Sequence, residues 1–210
     1  FLEGLDITYR ILFQITSFIL ASTIIFAIFI LKKSITIHHE TFSLSSIKEM
    51  KKFPEVIILL IFCTSSFGII LSIYPAFLDD SGMSDTDILL LYFAFGVSRV
   101  ISLALAGKFS RKTSHTLIVA TISISVGLAI SAVSYSIIMF AIAMVLMGFG
   151  FSIFFPLTLE IILSRTSKGI SGKIIGAYET VFGIGWAIGP TLGGPIAQSF
   201  GNQMPYLVFF

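Results

Sequence analysis

Six apolar runs, each long enough to cross a bilayer, occupy residues 7–31, 54–78, 86–106, 115–135, 136–164 and 174–198, and a seventh opens near Met204. A helix needs about 20 consecutive apolar residues to span lipid, so this succession leaves few folds open. The runs are continuous rather than alternating, which excludes a transmembrane β-barrel. With 56% hydrophobic and only 11% charged residues, the chain carries more apolar side chain than a soluble core of 210 residues needs. The fold class is an all-α polytopic membrane protein.

The net charge of +2 is unevenly spread. Lys32, Lys33, Lys48, Lys51 and Lys52 lie between the first two runs, Lys108, Arg111 and Lys112 between the third and fourth, and Arg165, Lys168 and Lys173 between the fifth and sixth. The opposite connections hold no Lys or Arg, and the one after the second run carries Asp79, Asp80, Asp85 and Asp87. By the positive-inside rule the basic loops 32–53, 107–115 and 165–173 are cytoplasmic in a multi-pass protein of the cell membrane. Residues 34–53 are the only long connection. Its part SLSSIKEMKK (43–52) reads either as a short surface helix or as a solvated linker.

Several function classes drop out. The single Cys63 rules out an internal disulfide, and its apolar surroundings argue against a metal site. H-E-x-x-H, G-x-S-x-G and G-x-x-x-x-G-K-[ST] are all missing, and His38, His39 and His115 lie in or beside the basic loops. The chain reads as no enzyme, with no cofactor, no metal and no nucleic-acid partner. It begins without methionine and stops inside an apolar run, so it reads as a fragment of a longer protein.

Three charges lie inside the runs. Arg99 precedes Gly107 by eight positions, which puts it roughly 12 Å inside the cytoplasmic boundary at the helical rise. Glu160 stands five before Arg165 and Glu179 six after Lys173, roughly 8 and 9 Å deep. An unpaired charge at mid-membrane costs about 3 kcal/mol on insertion scales. Pairing Arg99 with Glu160 or Glu179 relieves that cost and would close the cytoplasmic side like a latch. The simpler alternatives are Arg99 snorkelling to lipid phosphate, an interfacial Glu160, and a static interhelical hydrogen bond at Glu179. Arg10, at the outer end of the first run, snorkels to headgroups.

The segment GAYETVFGIGWAIGPTLGG (176–194) combines apolarity with glycines, a proline and Glu179. Gly176, Glu179, Gly183, Ala187, Pro190 and Gly194 fall on one helical face, a smooth seam suited to packing against something that moves. Elsewhere Thr64, Gly68, Ser72 and Pro75 share a face, and Ser123, Gly127, Ser131 and Ser134 give small-residue packing. Phe149, Ile153, Pro156 and Glu160 share another, crowded by Phe151, Phe154 and Phe155. Those rings make either an aromatic wall around a substrate or ordinary lipid and core contact.

The pattern resembles the second half of a major facilitator superfamily transporter. YPAFLDDSGMSDTDI (74–88) is similar to the family's end of helix seven, outer loop and start of helix eight. GVSRVISLALAGKFSRK (96–112) resembles its helix eight with the basic turn of motif A, G-x-x-x-D-R-x-G-R-K, with Arg111 at the aspartate place and Ser114 at the second glycine. Gly185-x-x-x-Gly189-Pro190-x-x-Gly193-Gly194 has the spacing of motif C, which drug–proton antiporters carry in helix five. That would place runs two to six as helices one to five. The preceding run would then be surplus, and AIAMVLMGFGFSIFFP lacks the arginine of motif B, so the second-half register is preferred and the motif does not imply antiport.

The resemblance implies residues 1–33 as helix six, 34–53 as the cytoplasmic linker, and 54–210 as helices seven to eleven with the start of twelve. It also implies an absent N-terminal half, the bilayer and a small-molecule solute as partners, and alternating access with the proton as candidate coupling ion. Helices seven and ten would line the cavity, making Thr64, Gly68, Ser72, Phe149, Ser152 and Pro156 candidate lining positions. Helix eleven would meet the missing half, making Gly183, Gly185, Gly189, Pro190, Gly193 and Gly194 an interdomain seam. Arg99, Glu160 and Glu179 would form a gate or charge relay. The alternatives are an uncoupled facilitator, and a transporter-like receptor or assembly protein that transports nothing.

Overall fold

The computed structural model describes residues 9–31, 50–109, 113–166 and 171–209. Lys32, Lys33, Lys48, Arg111, Lys112, Lys168, His38 and His39 lie outside the described residues, as does most of the 43–52 segment. Among the described residues every regular element is helical. Two compact units divide the chain, Phe1–Thr41 and Phe42–Phe210. Among the described residues the first contains one helix, the 23-residue α1 (Tyr9–Leu31).

The second unit contains α2 (Pro54–Ser72), α3 (Tyr74–Asp80), α4 (Asp85–Phe109), α5 (Thr113–Val133), α6 (Ile137–Ser164), α7 (Ser171–Phe200) and α8 (Met204–Val208). Its core takes in Met50 and Phe53, which the sequence reading assigned to the linker. Among the described residues four helices are long and apolar enough to cross a membrane: Pro54–Ser72, Asp85–Leu105, Thr113–Val133 and Ile137–Ser164. The 30-residue α7 is long enough but is not among the four. Its glycines, prolines, threonines and Glu179 lower its mean hydropathy, and of the long helices it segregates polar from apolar residues most.

The expected single run 54–78 breaks at Ile73, because Pro75 lacks the N–H that would reach back one turn and its ring crowds that carbonyl. The short α3 then ends in a Schellman turn. Gly82, at φ +83°, donates to Asp79 O (2.8 Å), and Met83 donates to Leu78 O (3.1 Å). Ser84 and Asp87 cap α4 reciprocally, with Ser84 N–H on Asp87 Oδ2 (3.1 Å) and Asp87 N–H on Ser84 Oγ (3.3 Å). The acidic residues of this connection are thus partly spent on local structure.

Small residues set the helix spacing in three seams, as expected where lipid supplies no hydrophobic drive between helices. Between α5 and α6, a Cβ on Gly150 would stand 2.6 Å from Ala120 O, and one on Gly127 2.9 Å from Ala143 O. Ser123 Oγ adds a hydrogen bond to Leu146 O (2.8 Å). Between α4 and α6, Gly148 lies against Phe95 O, and Ser98 Oγ donates to Val145 O (2.7 Å). Between α2 and α7, Gly185, Gly189 and Gly193 meet Thr64, Ser65 and Ile69, with Ser65 Oγ donating to Gly185 O (2.9 Å).

Candidate functional site

Four helices converge on one aromatic basin. Phe67 of α2 contacts Phe151 and Phe155 of α6, with ring centroids 5.0 and 5.8 Å away, and Phe182 and Trp186 of α7, at 6.5 and 6.2 Å. Phe155 and Phe182 approach to 4.8 Å, and Phe95 of α4 reaches Phe151 at 6.5 Å. Phe67, Phe95 and Phe151 are buried, whereas Trp186 is 42% exposed, so the basin opens at the α7 side. Phe151, Phe154 and Phe155, which the sequence left as either a substrate wall or core contact, form a packed wall of rings in which Phe151 and Phe154 are fully buried. Phe67, Phe95, Phe182 and Trp186 complete it; the one sequence signal among them was Phe95, one helical turn before Arg99.

Arg99 sits in this basin, half-buried. Its guanidinium carbon lies 5.2 Å from the Phe67 ring centroid and 5.5 Å from that of Phe95. Cation–π attraction is worth about 1–2 kcal/mol per desolvated ring, which together matches the ~3 kcal/mol cost of a charge at membrane depth. Two rings can therefore hold the charge there without a carboxylate. They do nothing for the N–H donors. Arg99 Nε is buried and without a hydrogen-bond partner, a deficit of about 1–3 kcal/mol. Ser152 Oγ, next to Phe151 on α6, is likewise buried and unpartnered. The backbone carbonyl of Ser152 loses its helical donor too, because residue 156 is proline.

The expected latch is not closed. Among the described residues Arg99 makes no ion pair, and its guanidinium lies over the two rings. Glu160 is exposed, though not without a partner, and Glu179 is exposed on α7. The sequence measured their depth along the helix axes, which is similar, but not the direction each side chain faces. Glu179 stands on the stripe of α7 expected to meet the missing half, and within the described chain it is exposed.

The interdomain seam is corrected as well. Gly185, Gly189 and Gly193 are buried against α2 within the unit, while Gly183 and Gly194 have nothing within 4 Å of a Cβ position. Pro190 belongs partly to the inner side. It removes the helical donor of the Trp186 carbonyl, and Gly68 of α2 lies so close to that oxygen that a Cβ would collide with it. The uncovered stripe is Gly176, Glu179, Gly183, Ala187 and Gly194, each exposed or half-buried.

Of the expected cavity residues, Thr64 is buried against Gly185 and donates to Leu60 O (2.7 Å), and Gly68 is consumed by the α2–α7 contact. Neither lines a cavity here. Ser72 and Pro156 are exposed, Phe149 is half-buried, and Ser152 is buried beside the basin. A separate cavity of about 420 Å³ lies at the Asp80 end, lined by Phe77, Tyr135, Phe200, Asn202 and Leu207 among others. Its polar groups are already paired, Asn202 Nδ2 with Asp80 Oδ2 and Gln203 Nε2 with Tyr135 OH, both at 2.8 Å. It ties helix ends together and contains none of the expected site residues.

Residues 56–210, well over half of the chain, match the Major Facilitator Superfamily. The chain belongs to that family. Among characterised members it is similar to the quinolone resistance protein NorA of Staphylococcus aureus, in strains Mu50 and N315 alike, at 26% identity over 141 residues. The match covers 66% of this chain and 36% of the NorA length, so the chain spans about a third of the curated relatives it matches. As a superfamily member it is a multi-pass, all-helical membrane protein. The aromatic basin with Arg99 is therefore a feature of a superfamily bundle.

Proposed function

We propose that this chain is the second half of a secondary transporter, with one helix before it, that moves a small organic solute by alternating access. On this reading α1 is helix six, residues 34–53 the linker, α2 with α3 helix seven, α4 to α7 helices eight to eleven, and α8 the opening of twelve. The basic loops 32–53, 107–115 and 165–173 face the cytoplasm of the cell membrane. The observation that carries the reading is the convergence of α2, α4, α6 and α7 on an aromatic basin holding a half-buried arginine whose Nε has no acceptor. Solute sites of such transporters lie at membrane depth between helix repeats, and there the buried, unpartnered Nε donor of Arg99 is a deficit that a bound solute would relieve.

The uncovered stripe of α7 around Gly183 would meet the other half and slide against it, and Glu179 on that stripe is the candidate coupling carboxylate. Glu160 is the second candidate. The relatives named for quinolone resistance support a small organic compound as cargo. The test is accumulation by the full-length protein in proteoliposomes, across cationic, neutral and anionic aromatic solutes, with and without a pH gradient. The reading expects at least one class to be accumulated above protein-free vesicles. No accumulation of any class would favour a receptor or assembly role for the same fold.

A further inference from the structure

The Arg99 basin carries an inference about which solute belongs there, and that inference rests on reading the basin as a solute site. We propose that Arg99 is the recognition residue for an organic anion, a carboxylate or similar planar oxyanion attached to a flat aromatic body.

Three observations converge. The guanidinium is held by the Phe67 and Phe95 rings rather than by a carboxylate, so its charge is positioned but not neutralised among the described residues. Cation–π contact leaves the N–H donors of the guanidinium unspent, and Nε is buried with no acceptor. An in-plane acceptor with two oxygens fits that fork bidentately; an amine or a neutral ring does not. Phe67, which carries the guanidinium, also contacts the rings of Phe155, Phe182 and Trp186, and Trp186 is partly uncovered, which suits an aromatic body behind the anionic group. A cation in this basin would meet Arg99 as a like charge in a low-dielectric site, so the arrangement selects against the amine as well as for the acid.

The probes are 2-naphthoate, its neutral isostere 2-naphthamide, and the cation 2-naphthylmethylammonium, each titrated into the full-length protein in detergent with thermal stabilisation as readout. The wild type should bind naphthoate most tightly. Arg99→Gln should weaken naphthoate by about 30-fold or more, the loss of one partner of a desolvated charged pair. The naphthamide response should survive in that variant, which shows that the fold and the ring walls are intact. Arg99→Lys should fall between, keeping the charge but not the fork. Equal binding of the three probes, preference for the amine, or naphthoate binding indifferent to Arg99→Gln would overturn the proposal. Failure of naphthoate to bind at all would do the same, since it would mean that a carboxylate from elsewhere in the protein already occupies the fork. Transport is a separate readout. If naphthoate binds through Arg99 but nothing is accumulated, the transport reading fails and this inference stands; if the amine is accumulated independently of Arg99, the reverse holds.

Discussion

The α2–α7 seam makes a sharp prediction because the atoms that block each glycine differ in kind. A Cβ on Gly189 would run into the carbonyl oxygen of Ser65 and stand 2.8 Å from its carbonyl carbon and 3.1 Å from its Cα, all backbone. The helices must part by roughly 1 Å to admit it, and a gap of that size forfeits about a quarter to a half of the dispersion energy of every contact along the seam. Overpacking of this kind costs about 1–3 kcal/mol. Loss of the Ser65 Oγ to Gly185 O bond adds about 0.6 kcal/mol. Gly189→Ala should therefore destabilise by about 2–3 kcal/mol, and trimming Ser65 to Ala cannot relieve it, because the obstruction is main chain. Gly185→Ala meets a different obstacle, the Thr64 side-chain hydroxyl, with Ile61 O behind it at 2.9 Å. Thr64→Ala should rescue part of that cost, giving a favourable coupling of about 0.5–2 kcal/mol in the double-mutant cycle. Gly183→Ala, on the same helix with nothing within 4 Å, should stay within about 0.5 kcal/mol of wild type. Thermal melting of the full-length variants in detergent reads all of this. A neutral Gly189→Ala, or one rescued by Ser65→Ala, would refute the seam.

Two further outcomes follow from named contacts. Thr158 Oγ1 and Tyr178 OH lie 2.8 Å apart between α6 and α7, and Tyr178 OH also donates to Phe155 O at 3.2 Å, so the Thr158→Val and Tyr178→Phe cycle should show a coupling of about 0.6 kcal/mol in melting experiments. If Glu179 carries a coupling proton, Glu179→Gln should abolish pH-driven uptake in proteoliposomes while solute exchange persists, with Glu160→Gln as the companion test; full pH-driven uptake in both variants ends the relay idea.

Much of the architecture was legible because its signals are one-dimensional. Apolar run length predicted helices at 54–78, 86–106, 115–135 and 136–164, and these correspond to α2 with α3, α4, α5 and α6. Pro75 was visible but not weighed, and it divides the first of these runs at Ile73. Facing direction is where the sequence ran short. Gly183 and Gly194 lie on one stripe of α7 and Gly185, Gly189 and Gly193 on another, both small and both compatible with close packing. Spacing alone does not say which stripe a neighbour will take, and α2 takes the second. The same limit applied to Arg99. Its depth and that of the glutamates were readable, but the choice of Phe67 and Phe95 over a carboxylate depends on which helix faces α4. The aromatic basin draws single rings from helices far apart in sequence, so no local motif announces it.

The central claim is alternating access, in which the α7 stripe that meets the other half is uncovered from one side of the membrane and then from the other as the halves slide. The direct measurement is thiol labelling of the full-length protein with Ala187→Cys, an exposed position beside Trp186, in a background where the buried Cys63 and any other cysteines are replaced. Membrane-impermeant reagent is applied separately to each side of sealed, oriented vesicles. Alternating access predicts labelling from both sides, with a bound solute slowing both reactions. Labelling from one side only, whatever the solute, would contradict the account.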